Sequence, residues 1–330
     1  MKSEKITMSD IAKALAISNI SVSRALSGQD GVSEKLRSKI LMKASEMGYL
    51  RPRNSGDKKI LVLHQKPFIQ DSSNYSCKIQ GIEKALQTMG CEYDIEFIDK
   101  SRQEKLYLPN KVAKGTGFDG IIFIGGFEKG YVGFVASKIR NLVFYTGYSP
   151  SLDCDSVWYN FNNSGYMQCE YLIKKGHKRI GFIGSGSTYI NKEKALGIEL
   201  ALEDHALSVR DNFFIYAEGS FEEKVNELIQ SNEGPTAIIC QWDYTAIKLI
   251  KYLYEAGIRV PEDLSVIGSG NTEMASLSIP ALTTLEMYID YACECAVELL
   301  LKRIEEPTKP YETILINNTL VERDSVKAIE

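Results

Sequence analysis

Ser18-Asn19-Ile20-Ser21-Val22-Ser23-Arg24-Ala25-Leu26 is the stretch on which the reading of this chain turns. Ser18 suits a helix N-cap, because its hydroxyl can accept from the unpaired amides of a first turn. Val22, Ala25 and Leu26 then share one helical face, and Asn19, Ser21, Ser23 and Arg24 lie opposite. Upstream, Thr7 and Asp10 have capping-box spacing, and Ile11, Ala12 and Leu15 share a face. A break at Ala16-Ile17 separates the two helices. Downstream, Gly28 to Gly31 is a loop and Ser33 a third cap, and Leu36, Ile40 and Met47 mark a third helix that reaches Gly48-Tyr49. Two short helices joined by a tight turn and backed by a third form a helix-turn-helix unit. The polar face suits a helix laid in a major groove, where Asn bonds adenine and Arg bonds guanine or phosphate. A small helical bundle with a solvated polar face would carry the same pattern.

Charge separates the two readings. Residues 1–59 hold 12 Lys and Arg against 6 Asp and Glu, a net of +6, while the rest of the chain holds 27 against 37, a net of −10. A basic head on an acidic body calls for a polyanionic partner at the head alone, and nucleic acid is the natural one.

With those residues in view the chain resembles a known family. Ile6-Thr7-Met8-Ser9-Asp10-Ile11-Ala12, Ile17-Ser18, Val22-Ser23-Arg24-Ala25-Leu26, Val32-Ser33-Glu34 and Gly48-Tyr49 look like the head of the lactose-repressor (LacI/GalR) family of bacterial transcription regulators. The resemblance implies that Asn19, Ile20 and Arg24 read base edges, that Ser21 and Ser33 touch phosphates, and that Thr7, Ser18 and Ser23 belong to the same interface. Ala16 stands where the family usually has Gly in the turn. If that position needs a left-handed backbone, Ala costs on the order of 1 kcal/mol.

Residues 50–58 are polar and broken by Pro52 and Gly56, so they form a short linker between a head at 1–50 and a core at 59–330. In the family this junction is longer and holds a small helix whose apolar residues wedge into the minor groove. Past Leu50, next to the head, this linker has no such Leu, although Arg51 and Arg53 can contact phosphate.

From Lys59 onward apolar strands alternate with amphipathic helices, in two successive runs of similar size. Examples are the strands Ile60–Leu63, Leu142–Tyr145, Arg179–Ile183 and Ala237–Cys240, and the helices at 79–89, 164–174, 193–204 and 244–256. That alternation predicts two doubly wound lobes with parallel sheets covered on both faces. The expected division places about 59–160 and 288–314 in one lobe, and about 161–287 and 315–330 in the other. Here too the chain resembles the family, in its periplasmic-binding-protein-like core. The segments that carry this are Leu172–Phe182, Val260–Gly268, Pro280–Thr284 and Leu320–Ser325.

Ligands of open α/β sheets bind beyond the carboxyl ends of the strands. Those ends and the segments beside them bring forward Phe68, Phe127, Tyr145, Trp158, Asn160, Lys194, Trp242, Asp243 and Asn271 as an effector site. Aromatic faces with a few polar groups suit a sugar-like ligand. Against the family's pattern, Lys194 replaces the usual Arg before Gly197, Asn160 an acid, Trp242 an Asn, and Gly270-Asn271 an Asp pair. That set favours a glycoside stacked on Trp242 and Trp158 over a free hexose.

Catalytic patterns are thin. Gly184-Ser-Gly186-Ser-Thr hints at a phosphate cradle but lacks the Lys-Ser/Thr of a P-loop, and no Gly-x-Ser-x-Gly elbow occurs. His64, His177 and His205 have no metal-ligand spacing, and the seven scattered cysteines suit reduced thiols packed as small apolar groups. No cofactor and no metal are expected. No stretch approaches the ~20 apolar residues of a membrane span, and Met1–Lys5 shows no signal-peptide pattern. The chain has no leucine heptads after Ser325, so a homodimer is expected rather than a coiled-coil tetramer. The expectation is a cytoplasmic repressor of carbohydrate-utilisation genes that binds a palindromic operator under control of a sugar-like effector. The alternative is a small-molecule receptor with no DNA role.

Overall fold

The computed structural model describes residues 7–26, 31–46, 58–66, 72–115, 117–147, 153–186, 188–217, 220–231 and 233–330. Linker residues 51–57, with Arg51 and Arg53, and Phe68 lie outside them. The chain divides into two compact units, residues 1–57 and 58–330.

In the first unit, α1 (Met8–Leu15), α2 (Asn19–Leu26) and α3 (Glu34–Glu46) close around Ile11, Ala12, Val22, Ala25, Ile40 and Ala44. The helical period selects all of these but Ala44, which the structure adds. Leu15, Ile17, Val32 and Leu36 seal the edges of the cluster.

The second unit opens with β1 (Lys59–Gln65), α4 (Ser72–Thr88) and β2 (Glu92–Ile98). Two short helices follow, α5 (Lys100–Glu104) and α6 (Asn110–Ala113), then β3 (Gly120–Ile124), α7 (Lys129–Ala136), β4 (Leu142–Tyr145) and β5 (Asp155–Tyr159). The chain then enters a second lobe through α8 (Phe161–Lys174), β6 (Ile180–Gly184), α9 (Tyr189–Asp204), β7 (Phe214–Tyr216) and α10 (Glu222–Gln230). That lobe continues with β8 (Ala237–Cys240), α11 (Asp243–Glu255), β9 (Ser265–Ile267), α12 (Glu273–Leu277) and β10 (Thr284–Glu286). The chain returns to the first lobe through α13 (Ile289–Glu305) and β11 (Thr313–Ile316), then crosses back to β12 (Thr319–Val321).

The first lobe holds a six-stranded parallel sheet in the order β11-β5-β4-β3-β1-β2, and the second a four-stranded parallel sheet in the order β7-β6-β8-β9. The expectation of two parallel-sheet lobes holds, but they are unequal. β11 pairs with β5, so the first lobe reaches Ile316 rather than ending at 314. β10 and β12 form a separate antiparallel pair where the chain crosses between lobes.

Several helices start earlier than their apolar period indicates. Asn160 caps α8 by accepting from the Asn163 amide at 3.1 Å, and Thr188 caps α9 by accepting from the Asn191 amide at 3.3 Å. α9 therefore begins at Tyr189, not Glu193, which puts Lys194 inside the helix. α8 and α9 cross backbone to backbone. A Cβ at Gly165 would lie 2.1 Å from the Lys194 carbonyl oxygen, and one at Gly197 would lie 1.9 Å from that of Asn162. Only glycine permits that approach.

Candidate functional site

In the head, Thr7 and Asp10 form the expected capping box. The Asp10 carboxylate accepts from the Thr7 amide at 2.8 Å, and the Thr7 hydroxyl accepts from the Asp10 amide at 3.4 Å. α1 ends at Ala16 with φ 51° and ψ 45°, the left-handed conformation that a turn glycine would otherwise supply. This lets the Ile17 amide return to the Ala12 carbonyl at 3.0 Å and sets the tight turn. Ser18 starts α2 by accepting from the Ser21 amide at 3.1 Å, and its hydroxyl lies 2.9 Å from that of Ser21. Ser33 starts α3 by accepting from the Leu36 amide at 3.4 Å. Thr7, Ser18 and Ser33 thus have structural tasks that are independent of any partner.

Asn19, Ile20, Ser23 and Arg24 are exposed on α2, and Ser21 is half-buried. The sequence reading missed Arg37. From α3 its guanidinium donates to the Ala25 carbonyl at 3.1 Å and to that of Arg24 at 3.4 Å, capping the negative end of α2. The arrangement is a short helix held rigidly from behind, with its polar side outward.

In the core, the expected effector residues divide into two groups. Phe127 and Tyr145 are corrected to core residues. Phe127 packs edge-on against Phe123 at 4.9 Å and stacks on Tyr131 at 6.1 Å, beneath α7. Tyr145 is fully buried among α13 and β5, its hydroxyl 2.9 Å from that of Tyr159. A strand's carboxyl end exposes a side chain only when no helix folds back over it, and here α7 and α13 do.

Lys194 and Asp243 are also buried. Lys194 is 1% exposed, and its amine donates to Ser269 Oγ at 2.5 Å and to the Gln241 carbonyl at 3.4 Å. Burial pushes that amine down to about 7. Asp243 accepts from the Thr284 hydroxyl at 2.5 Å, the Thr272 amide at 2.8 Å and the Thr272 hydroxyl at 3.0 Å. Burial raises the Asp243 carboxyl, against the pull of those donors. The two residues hold the cleft wall from inside the second lobe.

Trp158, Asn160, Trp242 and Asn271 do line openings, and these adjoin along the seam between the lobes. Trp158 and Asn160 line a cavity of about 180 Å³ with Tyr159, Tyr189 and Leu315. Trp242 and Tyr159 line a narrow gap that also touches Ile289. Ile289 in turn borders a cleft of about 640 Å³ that contains Asn271, Glu286 and Tyr288. The Trp242 ring stands edge-on to Phe161 at 5.9 Å and packs on the first lobe's core, so it crosses the seam from the second lobe. Asn271, at φ 44°, donates to Glu286 at 2.7 Å and accepts from Arg323 at 2.5 Å. Phe161, Tyr159 and Tyr189 were not foreseen. Tyr159 ends β5, Phe161 opens α8 and Tyr189 opens α9, and no sequence period marks them.

The hinted phosphate cradle is filled by the chain itself. Asn191 donates to the carbonyls of Ser185 at 3.1 Å and Gly186 at 2.8 Å, and a Cβ at Gly184 would lie 2.6 Å from the Asn191 side chain. His177 is buried between Thr236 and the Lys327 carbonyl, at 3.0 and 3.1 Å, in a structural position.

Comparison with known proteins agrees with this geometry. The profile of the periplasmic-binding-protein-like domain family matches residues 169–326. The HTH-type transcriptional regulator DegA of Bacillus subtilis is 30% identical over 294 residues, spanning 85% of this chain and 86% of that one. The ribose operon repressor of Haemophilus influenzae is 24% identical over 332 residues, spanning 98% and 99%. The solved structure of a lac repressor dimer bound to operator and the anti-inducer ONPF shares the fold. Its TM-score is 0.73 at 19% identity, over 98% of this chain and all of that one. These relatives are regulators rather than enzymes. With a capped helix-turn-helix ahead of two parallel-sheet lobes, and with 30% identity to the regulator DegA over 85% of its length, the chain belongs to the LacI/GalR family of DNA-binding transcriptional regulators.

Proposed function

We propose that this protein is a cytoplasmic repressor that binds a palindromic operator as a homodimer and releases or grips it according to a sugar-like effector held between the core lobes. The observation that carries the reading is α2 itself. Asn19, Ser23 and Arg24 face outward, while the helix is anchored behind by Val22 and Ala25 and at both ends by Ser18 and Arg37. In a complex Asn19 and Arg24 meet base edges, and the hydroxyls of Thr7, Ser18, Ser21, Ser23 and Ser33 lie near the backbone.

An effector in the seam would touch residues of both lobes, Trp158 and Asn160 from one and Trp242 and Asn271 from the other. Its binding therefore depends on lobe orientation, and a ligand with different affinity for two orientations shifts their balance. Two heads spaced by a dimer fit a palindrome in only one of those orientations. Stacking on Tyr189 and Trp242, with the buried Trp158 backing Tyr189 edge-on at 5.8 Å, favours a glycoside with an apolar face. Carbohydrate-utilisation genes are the matching target.

Selection of bound duplexes from a random pool, repeated with and without candidate glycosides, tests the reading. A palindromic consensus whose enrichment changes with one glycoside is the expected result. Enrichment of no duplex would overturn it and restore the alternative of a small-molecule receptor.

A further inference from the structure

We propose that β11 is a docking edge for β11 of a second copy, paired antiparallel, so that homodimers join into tetramers. The inference goes beyond the reading above and takes its homodimer as the unit. Among the described residues β11 pairs with β5 alone and forms one edge of the six-stranded sheet. On the side facing β5, the Glu312 carbonyl accepts from the Ser156 amide at 3.0 Å, and the Ile316 carbonyl accepts from the Asn160 amide at 2.9 Å. Backbone groups alternate sides along a strand, so those of Thr313 and Leu315 point away from the sheet. A bare edge of this kind is a template for another strand, and proteins usually blunt it with charge, proline or a cover. The opposite edge of the same sheet follows that rule, since β2 carries Glu92, Asp94 and Glu96. The β11 edge, Thr313-Ile314-Leu315-Ile316, has neither charge nor proline. Glu312, just before it, is turned back to Lys302 at 2.9 Å and Lys309 at 3.4 Å. Tyr311 and Leu315 are 59% and 55% exposed, so the edge also presents apolar surface.

An identical edge is its complement. About a two-fold axis between the strands, Thr313 of each copy stands opposite Leu315 of the other, and their outward amides and carbonyls bond in both directions. The two Leu315 side chains then meet diagonally on one face of the joined sheet. No charge within either strand opposes the approach. Direction separates this contact from that of the homodimer. All strands of the sheet run parallel, and β1 starts at Lys59, where the linker from the head arrives. Antiparallel pairing turns the head-bearing ends of the two copies away from each other, whereas a palindrome needs two heads on one side. The contact therefore joins dimers and leaves a pair of heads at each end.

Sedimentation velocity of the full-length protein from about 1 to 100 µM should show dimers giving way to tetramers, because association follows mass action. Hydrogen exchange read residue by residue locates the contact. The amides of Thr313 and Leu315 should slow by about tenfold or more over that range, while those of Ile314 and Ile316, which face β5, keep their rates. Leu315→Lys places a charge on the edge at an exposed position. It should stay dimeric at every concentration with an unchanged urea midpoint, and Leu315→Val should still form tetramers. A wild-type protein that remains dimeric throughout overturns this inference alone. So do tetramers that persist in Leu315→Lys, or that form with no slowing at Thr313 and Leu315. A wild-type protein that is monomeric throughout overturns the homodimer of the reading above, and this inference with it.

Discussion

Arg303 on α13 holds Asp155 on β5 in a buried two-pronged ion pair, Nε to Oδ2 at 2.7 Å and Nη2 to Oδ1 at 2.9 Å. The same carboxylate accepts from Lys309 Nζ at 3.0 Å and from the Glu312 amide at 2.8 Å. Arg303 also donates to the carbonyls of Pro307, Lys309 and Pro310. One buried pair therefore fixes α13, the loop after it and the edge strand β11 against β5.

Asp155→Asn keeps the shape but leaves a buried guanidinium without its counter-charge, which should cost about 3–5 kcal/mol. Urea unfolding followed by fluorescence of Trp158 and Trp242 measures it. Burial alone would raise the Asp155 carboxyl, but the bonds from Arg303, the Glu312 amide and Lys309 outweigh it and leave its pKa lowered. The stabilisation is thus complete above the ordinary carboxylate range, about pH 4, and fades as pH falls through the folded value. Asp155→Asn should lack that acid-dependent component, and an unchanged unfolding midpoint would refute the assignment.

Lys194 gives the opposite dependence. Its amine titrates at about 7 when folded because burial disfavours the charge, and near the ordinary lysine value of 10.5 when unfolded. The unfolded chain therefore binds the extra proton between those values, and stability rises with pH across that window, by at most about 1.4 kcal/mol per pH unit. Lys194→Met should remove this slope. Parallel curves for the two proteins from pH 7 to 10 would contradict the burial argument.

Ala16→Gly should stabilise the head, because Ala occupies the left-handed region at φ 51°. The gain is about 0.5–1 kcal/mol after allowing for glycine's extra unfolded-state freedom. Native-state hydrogen exchange of amides in α1 and α2 should slow by about two- to fivefold, and amides of the core should not change.

Arg24→Ala should weaken operator binding by about 1–3 kcal/mol and relax preference at one base position per half-site. A gel shift at moderate salt reads the affinity, and repeated selection reads the preference. Wild-type affinity in this variant would mean that α2 is not the reading helix.

For the effector, truncating Trp242 should cost more affinity than Lys194→Met, by on the order of 1 kcal/mol. Trp242 lies on the seam, whereas the Lys194 amine is already bonded to Ser269. Calorimetry on both variants with the effector identified by selection decides it. Loss of binding in Lys194→Met alone would point to an anionic ligand instead.

The head and the existence of two parallel-sheet lobes were legible in the sequence, because both depend on local rules. Caps such as Ser18 and Ser33 bond to amides three residues away, and apolar periods report a buried face wherever it lies. The left-handed conformation at Ala16 was only a condition suggested by the resembled family's Gly there, because an Ala carries no local mark of it; the structure decided it. The effector site was less so. Phe127 and Tyr145 end strands just as Trp158 and Asn160 do, and only the packing of α7 and α13 over the first pair separates core from lining. Lys194 belongs to the buried network and Trp242 to the seam because of how close α8 and α9 approach at Gly165 and Gly197, and how the second lobe meets the first. Those are distances between residues far apart in the chain, set by the sum of packing, and no periodicity encodes them.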